Sequence, residues 1–223
     1  METEKIKHPA KFSDSIIEKI AEILIQYNIK SVFDPMAGTG KIANVKKHGY
    51  NGMVVCNDLE CEWIRDEKHQ WDIYLFEDAS NLKYEDEVVE CVCTSPTYGN
   101  RLADSYNRKD KSKRFSYRFN LGKKLHEENT GAMHWGEKYK NKHKEIWNEM
   151  KRVLVPNGIF ILNISNHIRK GEEMMVSEWH KEYIESIGFK LIESHKIETP
   201  RLRYGANSKA RVGFENLFGF IKK

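Results

Sequence analysis

Five short apolar runs, at positions 31–33, 53–56, 73–76, 88–93 and 159–164, constrain the fold of this 223-residue chain more than any other feature. Their apolar residues are mostly continuous instead of alternating, and a strand that is apolar on successive residues must be covered on both faces. A 3.6-residue periodicity marks helices at 15–27, where Ile16, Ile17, Ile20, Ile23 and Leu24 share one side, near 143–154 and at 174–187. Strands alternating with helices imply right-handed crossovers and a mostly parallel sheet, so the expected fold class is α/β, doubly wound and Rossmann-like, with about seven strands. Pro156-Asn157-Gly158 is expected to end one helix and Ser186-Ile187-Gly188 the next. The final runs, 189–196 and 216–221, have no convincing helix between them, which makes one of them the candidate for an antiparallel strand.

The net charge of +4 conceals an uneven distribution. From Arg101 to Lys144 there are thirteen basic residues against five acidic ones, a local +8 that leaves −4 for everything else. Segment 101–144 follows the fourth apolar run and is expected to be an inserted target-recognition region in a body made of 1–100 and 145–223. Connections longer than about 15 residues in compact domains are usually functional or disordered. Tyr106, Phe115, Tyr117, Phe119, Trp135 and Tyr139 are interleaved with the basic residues. That composition suits phosphates and stacked bases, and equally a small subdomain with an aromatic core. Arg101, Arg108, Lys113, Arg114 and Arg118 are the candidate nucleic-acid contacts.

No run approaches the roughly 20 apolar residues of a membrane span, and residues 1–27 lack a signal-peptide pattern, so an intracellular, cytoplasmic chain with no membrane partner is expected. Cys56, Cys61, Cys91 and Cys93 lie in or beside apolar runs and form no C-x-x-C pair. Buried reduced thiols are favoured over zinc, and no metal is expected.

After the first run, Asp34-Pro35-Met36-Ala37-Gly38-Thr39-Gly40 sets an acid at a strand end and two glycines in the turn beyond it. Glycine lets backbone approach a ligand closely, and in open α/β sheets ligands bind beyond the carboxyl ends of the strands. Asp58 closes the second run, where a carboxylate can accept from ribose hydroxyls, with Glu60 to assist or replace it. A dinucleotide is disfavoured because Asp34 would face the pyrophosphate. A phosphate-binding P-loop fails because Lys41 is followed by Ile42 instead of Ser or Thr. S-adenosylmethionine, with its ammonium and sulfonium charges, suits an acid beside the turn, and an ordinary glycine turn is the plain alternative.

Thr94-Ser95-Pro96-Thr97-Tyr98-Gly99-Asn100 follows the fourth run, at the same expected sheet edge as the glycine turn. The pair formed by Asp34-Pro-Met-Ala-Gly-Thr-Gly40 and Ser95-Pro-Thr-Tyr98 resembles the signature of S-adenosylmethionine-dependent methyltransferases acting on exocyclic amino groups of DNA bases. His8-Pro-Ala-Lys-Phe-Ser13 is similar to that family's opening motif. The resemblance covers most of the chain except the insert. It implies a Rossmann-like methyltransferase sheet, S-adenosylmethionine as cofactor, Phe12 and Ser13 on the methionine side, and an acid near the adenine amino group, for which Asp78 is the choice. Ser95, in place of Asp or Asn, leans toward cytosine N4 over adenine N6. Thr97 stands where the family usually has a second proline.

The chemistry accounts for these residue types. An exocyclic amine conjugated to a base is nearly planar and a poor nucleophile. The Ser95 side chain and the Pro96 carbonyl could accept its N–H groups and favour the pyramidal form. Tyr98 could stack on an extruded base. The expected function is DNA amino-methylation, and an RNA amino-methyltransferase or an inactive nucleic-acid-binding subunit are the alternatives. The short insert implies a short recognition site, relaxed specificity, or a homodimer or helper subunit. Restriction, regulation and protection of phage DNA fit equally. Trp63 is expected to be core more than adenine contact, most histidines are expected at the surface, and His167 is the one placed to face a substrate crevice. Arg211 and Glu215 are expected as a structural pair.

Overall fold

Strand pairing explains why the two motif loops meet. The computed structural model describes residues 12–65, 70–99, 117–169, 171–199 and 212–223. Helix α1 (Asp14–Gln26) opens on Ser13, whose hydroxyl accepts the Ile16 N–H at 3.3 Å, with Asp14 favourably placed in the first turn. Then come β1 (Ser31–Asp34), β2 (Met53–Asn57), β3 (Ile73–Leu75), β4 (Val89–Thr94), α2 (Tyr117–Leu121), α3 (Glu137–Val153) and β5 (Leu154–Ile164). A hairpin β6 (His167–Arg169) and β7 (Glu172–Met174), α4 (Val176–Ser186), β8 (Phe189–Glu198) and β9 (Phe214–Lys222) complete the order. The main sheet runs β3-β2-β1-β4-β5-β9-β8, with β9 antiparallel to both neighbours and the other pairings parallel. The antiparallel strand anticipated near the carboxyl end is therefore β9.

One sheet face is covered by α1 and a short helical segment, Lys41–His48, through Ile16, Ile20, Leu24, Ile42 and Val45. The other is covered by α3 and α4 through Ile146, Trp147, Met150 and Ile184. This double cover is why the strands read as continuous apolar runs.

One local feature was not marked by the periodicity and two others depart from expectation. The β1–β2 connection is a 3₁₀ helix, Lys41–His48, bounded by Gly40 and Gly49 with φ of 73° and 88°. Eight residues at about 2.0 Å rise reach further than the same eight in an α-helix, and the two left-handed glycines limit the segment to that length. Helix α3 ends at Val153, three residues before Pro156. Pro156-Asn157-Gly158 instead forms a bulge opposite Glu90, where the β4–β5 register jumps from Val89↔Leu154 to Cys91↔Ile159. A Cβ at Gly158 would lie 2.8 Å from the Val155 carbonyl oxygen. Lastly, Cys61 is exposed, unlike Cys56, Cys91 and Cys93, whose thiols burial pushes up in pKa. Among the described residues no group of side chains has metal-binding arrangement, and no helix is long and apolar enough to cross a membrane.

A second bulge lies between β8 and β9, where Glu193 sits opposite Gly219. The Glu193 carboxylate accepts from Tyr27 at 3.1 Å and Gln26 at 3.2 Å, tying the end of α1 to β8. A Cβ at Gly219 would stand 2.9 Å from the Glu193 Cβ, whereas one at Gly213 meets nothing. Gly219→Ala should therefore cost about 1–3 kcal/mol in urea unfolding, with Gly213→Ala within about 0.5 kcal/mol of the parent.

Candidate functional site

The chain leaves β1 toward β2 on one side and returns to β4 on the other, so the carboxyl ends of β1 and β4 form the topological switch point of the sheet. Parallel pairing sets Val32 opposite Cys91 and Phe33 opposite Val92, which brings Asp34 and Thr94 to the same edge. Asp34 is buried, and its carboxylate accepts the Met36 N–H at 3.1 Å. Burial pushes its pKa up to about 7; the Met36 N–H and the nearby Thr94 hydroxyl oppose the shift, while the Asp58 charge adds to it. The Thr94 hydroxyl faces Asp34 outside standard hydrogen-bond geometry.

The glycine turn is held from below by Asn57 and Asp58. Asn57 Nδ2 donates to the carbonyls of Pro35 (3.0 Å) and Glu77 (2.9 Å), its Oδ1 accepts from the Glu77 N–H (2.8 Å), and its own carbonyl accepts the Ala37 N–H (2.8 Å). Asp58 accepts the Gly38 N–H at 2.8 Å and the Glu60 N–H at 2.9 Å. Burial raises its pKa to about 6 against those two N–H donors. Tyr74 donates to the Gly38 carbonyl. A Cβ at Gly40 would lie 2.8 Å from the Trp71 ring, so an aromatic close approach already accounts for that glycine. Lys41 donates to the Phe12 carbonyl, which brings the end of the opening motif against the turn; residues 8–11 lie outside the described residues. Asn57 escaped sequence reasoning, although a polar residue closing an apolar run was its signal.

The Ser-Pro-Thr-Tyr loop carries a polar cluster. Asn163 on β5 donates through Nδ2 to Glu215 at 2.6 Å, to Ser95 at 3.2 Å and, at the 3.5 Å limit, to Tyr98. Tyr98 donates to Glu215 at 3.0 Å and meets the Ser95 hydroxyl at 3.2 Å. Tyr98 has one hydroxyl proton and Glu215 takes it, so the proton between Ser95 and Tyr98 is that of Ser95. With its proton given to Tyr98 and Asn163 occupying one lone pair, Ser95 Oγ keeps one lone pair, with which it can only accept from a ligand. Asn163, a buried amide inside an apolar strand, was missed in sequence. Glu215 holds Tyr98 and Asn163, and Arg211, its expected partner, lies outside the described residues.

The second half of the insert is bound to the body. Glu60 accepts the His126 N–H at 2.6 Å and Asn129 Nδ2 at 3.2 Å, and Lys123 bridges Glu60 (3.0 Å) and Glu62 (2.6 Å). Asp78 pairs with Lys142 at 2.8 Å and caps Ser80; burial alone would raise its pKa, but Lys142 and Ser80 outweigh it and hold it low. Lys142 also meets Glu128 at 3.2 Å. Glu60 and Asp78, the expected ribose and adenine contacts, thus also bond the insert. Trp63 is core, packed edge-on against Tyr117 at 6.2 Å. His143 and His180 are buried, contrary to their expected exposure, because His143 shares a helical face with Ile146, Trp147 and Met150. Burial lowers the His143 pKa to about 4. His167 opens the β6–β7 hairpin. Arg101, Arg108, Lys113 and Arg114 lie outside the described residues, and of Arg118 only the backbone, in α2, is described.

No protein-family model and no curated protein sequence matches this chain. Among solved structures, it is similar to a candidate RNA methyltransferase of Pyrococcus horikoshii, at TM-score 0.56 and 12% identity over 99% of this chain and 94% of the other. It is also similar to a candidate S-adenosylmethionine-dependent methyltransferase of Listeria monocytogenes, at TM-score 0.52 and 13% identity, covering 92% and 95%. The [4+2]-cyclase SpnF matches at TM-score 0.55 and 12% identity, covering 96% and 84%. These likenesses define the class: an α/β protein with the Rossmann-like methyltransferase fold. A cyclase on the same fold leaves the reaction to be argued from the site.

Two buried acids with raised pKa values at one sheet edge are costly when ionised. A folded-state Asp34 near 7, against about 3.9 unfolded, is least unfavourable below the unfolded value, and stability is lost as pH rises toward 7. Asp34→Asn should stabilise the protein progressively from pH 4 to 7 and level off above, with an upper bound of about 4 kcal/mol. Chemical denaturation across that range measures it; a pH-independent difference would mean Asp34 is not buried as an acid.

Proposed function

We propose that this chain is an S-adenosylmethionine-dependent methyltransferase acting on an exocyclic amine of a DNA base, with cytosine N4 favoured over adenine N6. The observation that carries the reading is the meeting of two loops at the β1–β4 switch point: an acid with its glycine turn on one side, and Ser95 with one lone pair left to accept on the other. Asp34 would take the ammonium of the methyl donor, Asp58 the ribose hydroxyls, and Phe12 and Ser13 the methionine side. When bound, S-adenosylmethionine supplies an electrophilic methyl group.

Ser95 Oγ and the Pro96 carbonyl accept the two N–H bonds of the target amine and draw its lone pair out of conjugation. Methyl transfer to the nitrogen would be balanced by cleavage of the donor's methyl–sulfur bond, and Ser95 Oγ and the Pro96 carbonyl would hold the amine protons until one is lost to water. Positioning is the main contribution, since no covalent enzyme intermediate is needed. Tyr98, its hydroxyl fixed by Glu215, presents its ring to an extruded base. The naming of one structural neighbour as a candidate RNA methyltransferase motivates RNA as the second substrate to try.

Transfer of labelled methyl groups to DNA and RNA, followed by digestion and mass analysis of the nucleosides, tests the reading; methylated RNA with unmodified DNA would reject the substrate. Ser95→Ala should lower kcat by about 100-fold or more, the scale of removing one transition-state contact, with cofactor affinity within a few-fold. Cofactor affinity should also rise about tenfold per pH unit below pH 7 and level near it, because Asp34 must ionise to meet an ammonium. Calorimetry at several pH values measures this, and a flat profile would place the ammonium elsewhere.

A further inference from the structure

Thr97, where the resembled family usually has proline, is engaged through its carbonyl and its hydroxyl. Its carbonyl accepts the Tyr139 hydroxyl at 2.6 Å. Its own hydroxyl meets that of Thr130, in the second half of the insert, at 3.1 Å. Proline at this position could still accept from Tyr139 but has no hydroxyl for Thr130.

Both anchors are rigid. Trp147 Nε1 donates to His180 Nδ1 at 2.9 Å, which requires the other ring nitrogen of a neutral His180 to carry the proton. That Nε2 lies 3.0 Å from the Tyr139 hydroxyl, so His180 donates to Tyr139 and Tyr139 donates to Thr97. Thr130 begins a one-turn 3₁₀ helix capped by Asn129, whose Oδ1 accepts the Gly131 N–H at 2.8 Å. The same Asn129 donates to Glu60 beyond β2. At the insert's return, the Trp135 N–H donates to the Gly99 carbonyl at 2.9 Å, and a Cβ on Gly99 would stand 2.9 Å from that of Trp135. Segment 123–135 therefore touches both sides of the crevice, at Glu60 on the β2 side and at Thr97 and Gly99 on the β4 side.

We propose that Thr97 is a positioning residue: its hydroxyl bond to Thr130 couples the insert to the Ser95–Tyr98 loop, so the placement of the insert sets the geometry of that loop. The catalytic consequence rests on the methyltransferase reading above, while the coupling itself does not. Thr97→Val, Thr130→Val, the double variant and Thr97→Ser are compared with the parent by hydrogen–deuterium exchange and by steady-state methyl transfer. Each valine variant should speed exchange of the Trp135 amide, which donates to the Gly99 carbonyl where insert and loop meet, about fivefold, the scale of one neutral hydrogen bond. The double variant should match the singles, because one bond is lost in all three, and Thr97→Ser should match the parent. In turnover, kcat should fall in the valine variants with cofactor KM unchanged, and serine should restore it.

Unchanged exchange in both valine variants, additive effects in the double, or a serine variant as fast as valine would overturn the coupling. If Thr97→Val does not fold, Thr130→Val removes the same bond from the other partner. A parent protein that transfers no methyl group would overturn the functional reading alone, and exchange would still decide the coupling.

Discussion

The parallel pairing of β1 with β4 is the contact on which the site depends. β2 and β3 continue outward on one side and β5 on the other, which makes the carboxyl ends of β1 and β4 the switch point of the sheet. The edge left between them is where buried polar groups accumulate: Asp34, Thr94, Asn57 and Asp58 below the glycine turn, and Asn163 and Glu215 behind the Ser95 loop. Such groups are tolerated where backbone N–H donors and side-chain amides supply partners. Asp34, Asn57, Asp58 and Glu215 have such partners, whereas Thr94 Oγ1 and Asn163 Oδ1 meet none among the described residues, and burial raises the pKa of both aspartates. Stability given up by burying acids at one sheet edge is a common pattern for functional sites.

The insert changes character once its contacts are known. Read as charge alone it is a basic arm, yet Lys123 and Lys142 are neutralised by Glu60, Glu62, Asp78 and Glu128 of the body and of the insert itself. These pairs anchor its second half, and Tyr117, in its first half, packs on Trp63 of the body. The positive charge available to a polyanion is accordingly smaller than the residue count suggests. Burial of Tyr139, His143, Trp147 and His180 between α3 and α4 then extends the same tie into the main core. Histidines kept neutral by burial serve there as fixed hydrogen-bond partners instead of titrating groups.

Most of the architecture was legible from residue order. Continuous apolar runs at 31–33, 53–56, 73–76 and 88–93 each lie on an observed strand, and the missing helix before the last run correctly marked an antiparallel member, β9. Periodicity located α1 and α4 within about two residues, the usual reach of such patterns, but started α3 near His143 when it begins at Glu137. The added turns contain Lys138, Lys140 and Lys142, whose charges mask the buried face carried by Tyr139, Lys142 and His143. Pro156-Asn157-Gly158 was a true breaker that acts as a strand bulge, because β4 offers Glu90 opposite an excursion a helix end does not need.

By itself, the sequence determined the sheet, its double cover, and the placement of Asp34 and Ser95 at strand ends, since these follow from local periodicity and from the rule that ligands meet the carboxyl edge of parallel strands. Only the tertiary structure decided that Glu60 and Asp78 bond the insert, because Glu60 meets His126 and Asp78 meets Lys142 across 66 and 64 positions of chain. It also decided that Asn57, Asn163 and Thr97 matter. Their hydrogen bonds join strands and loops distant in sequence, and no local pattern encodes which donor will lie opposite which acceptor.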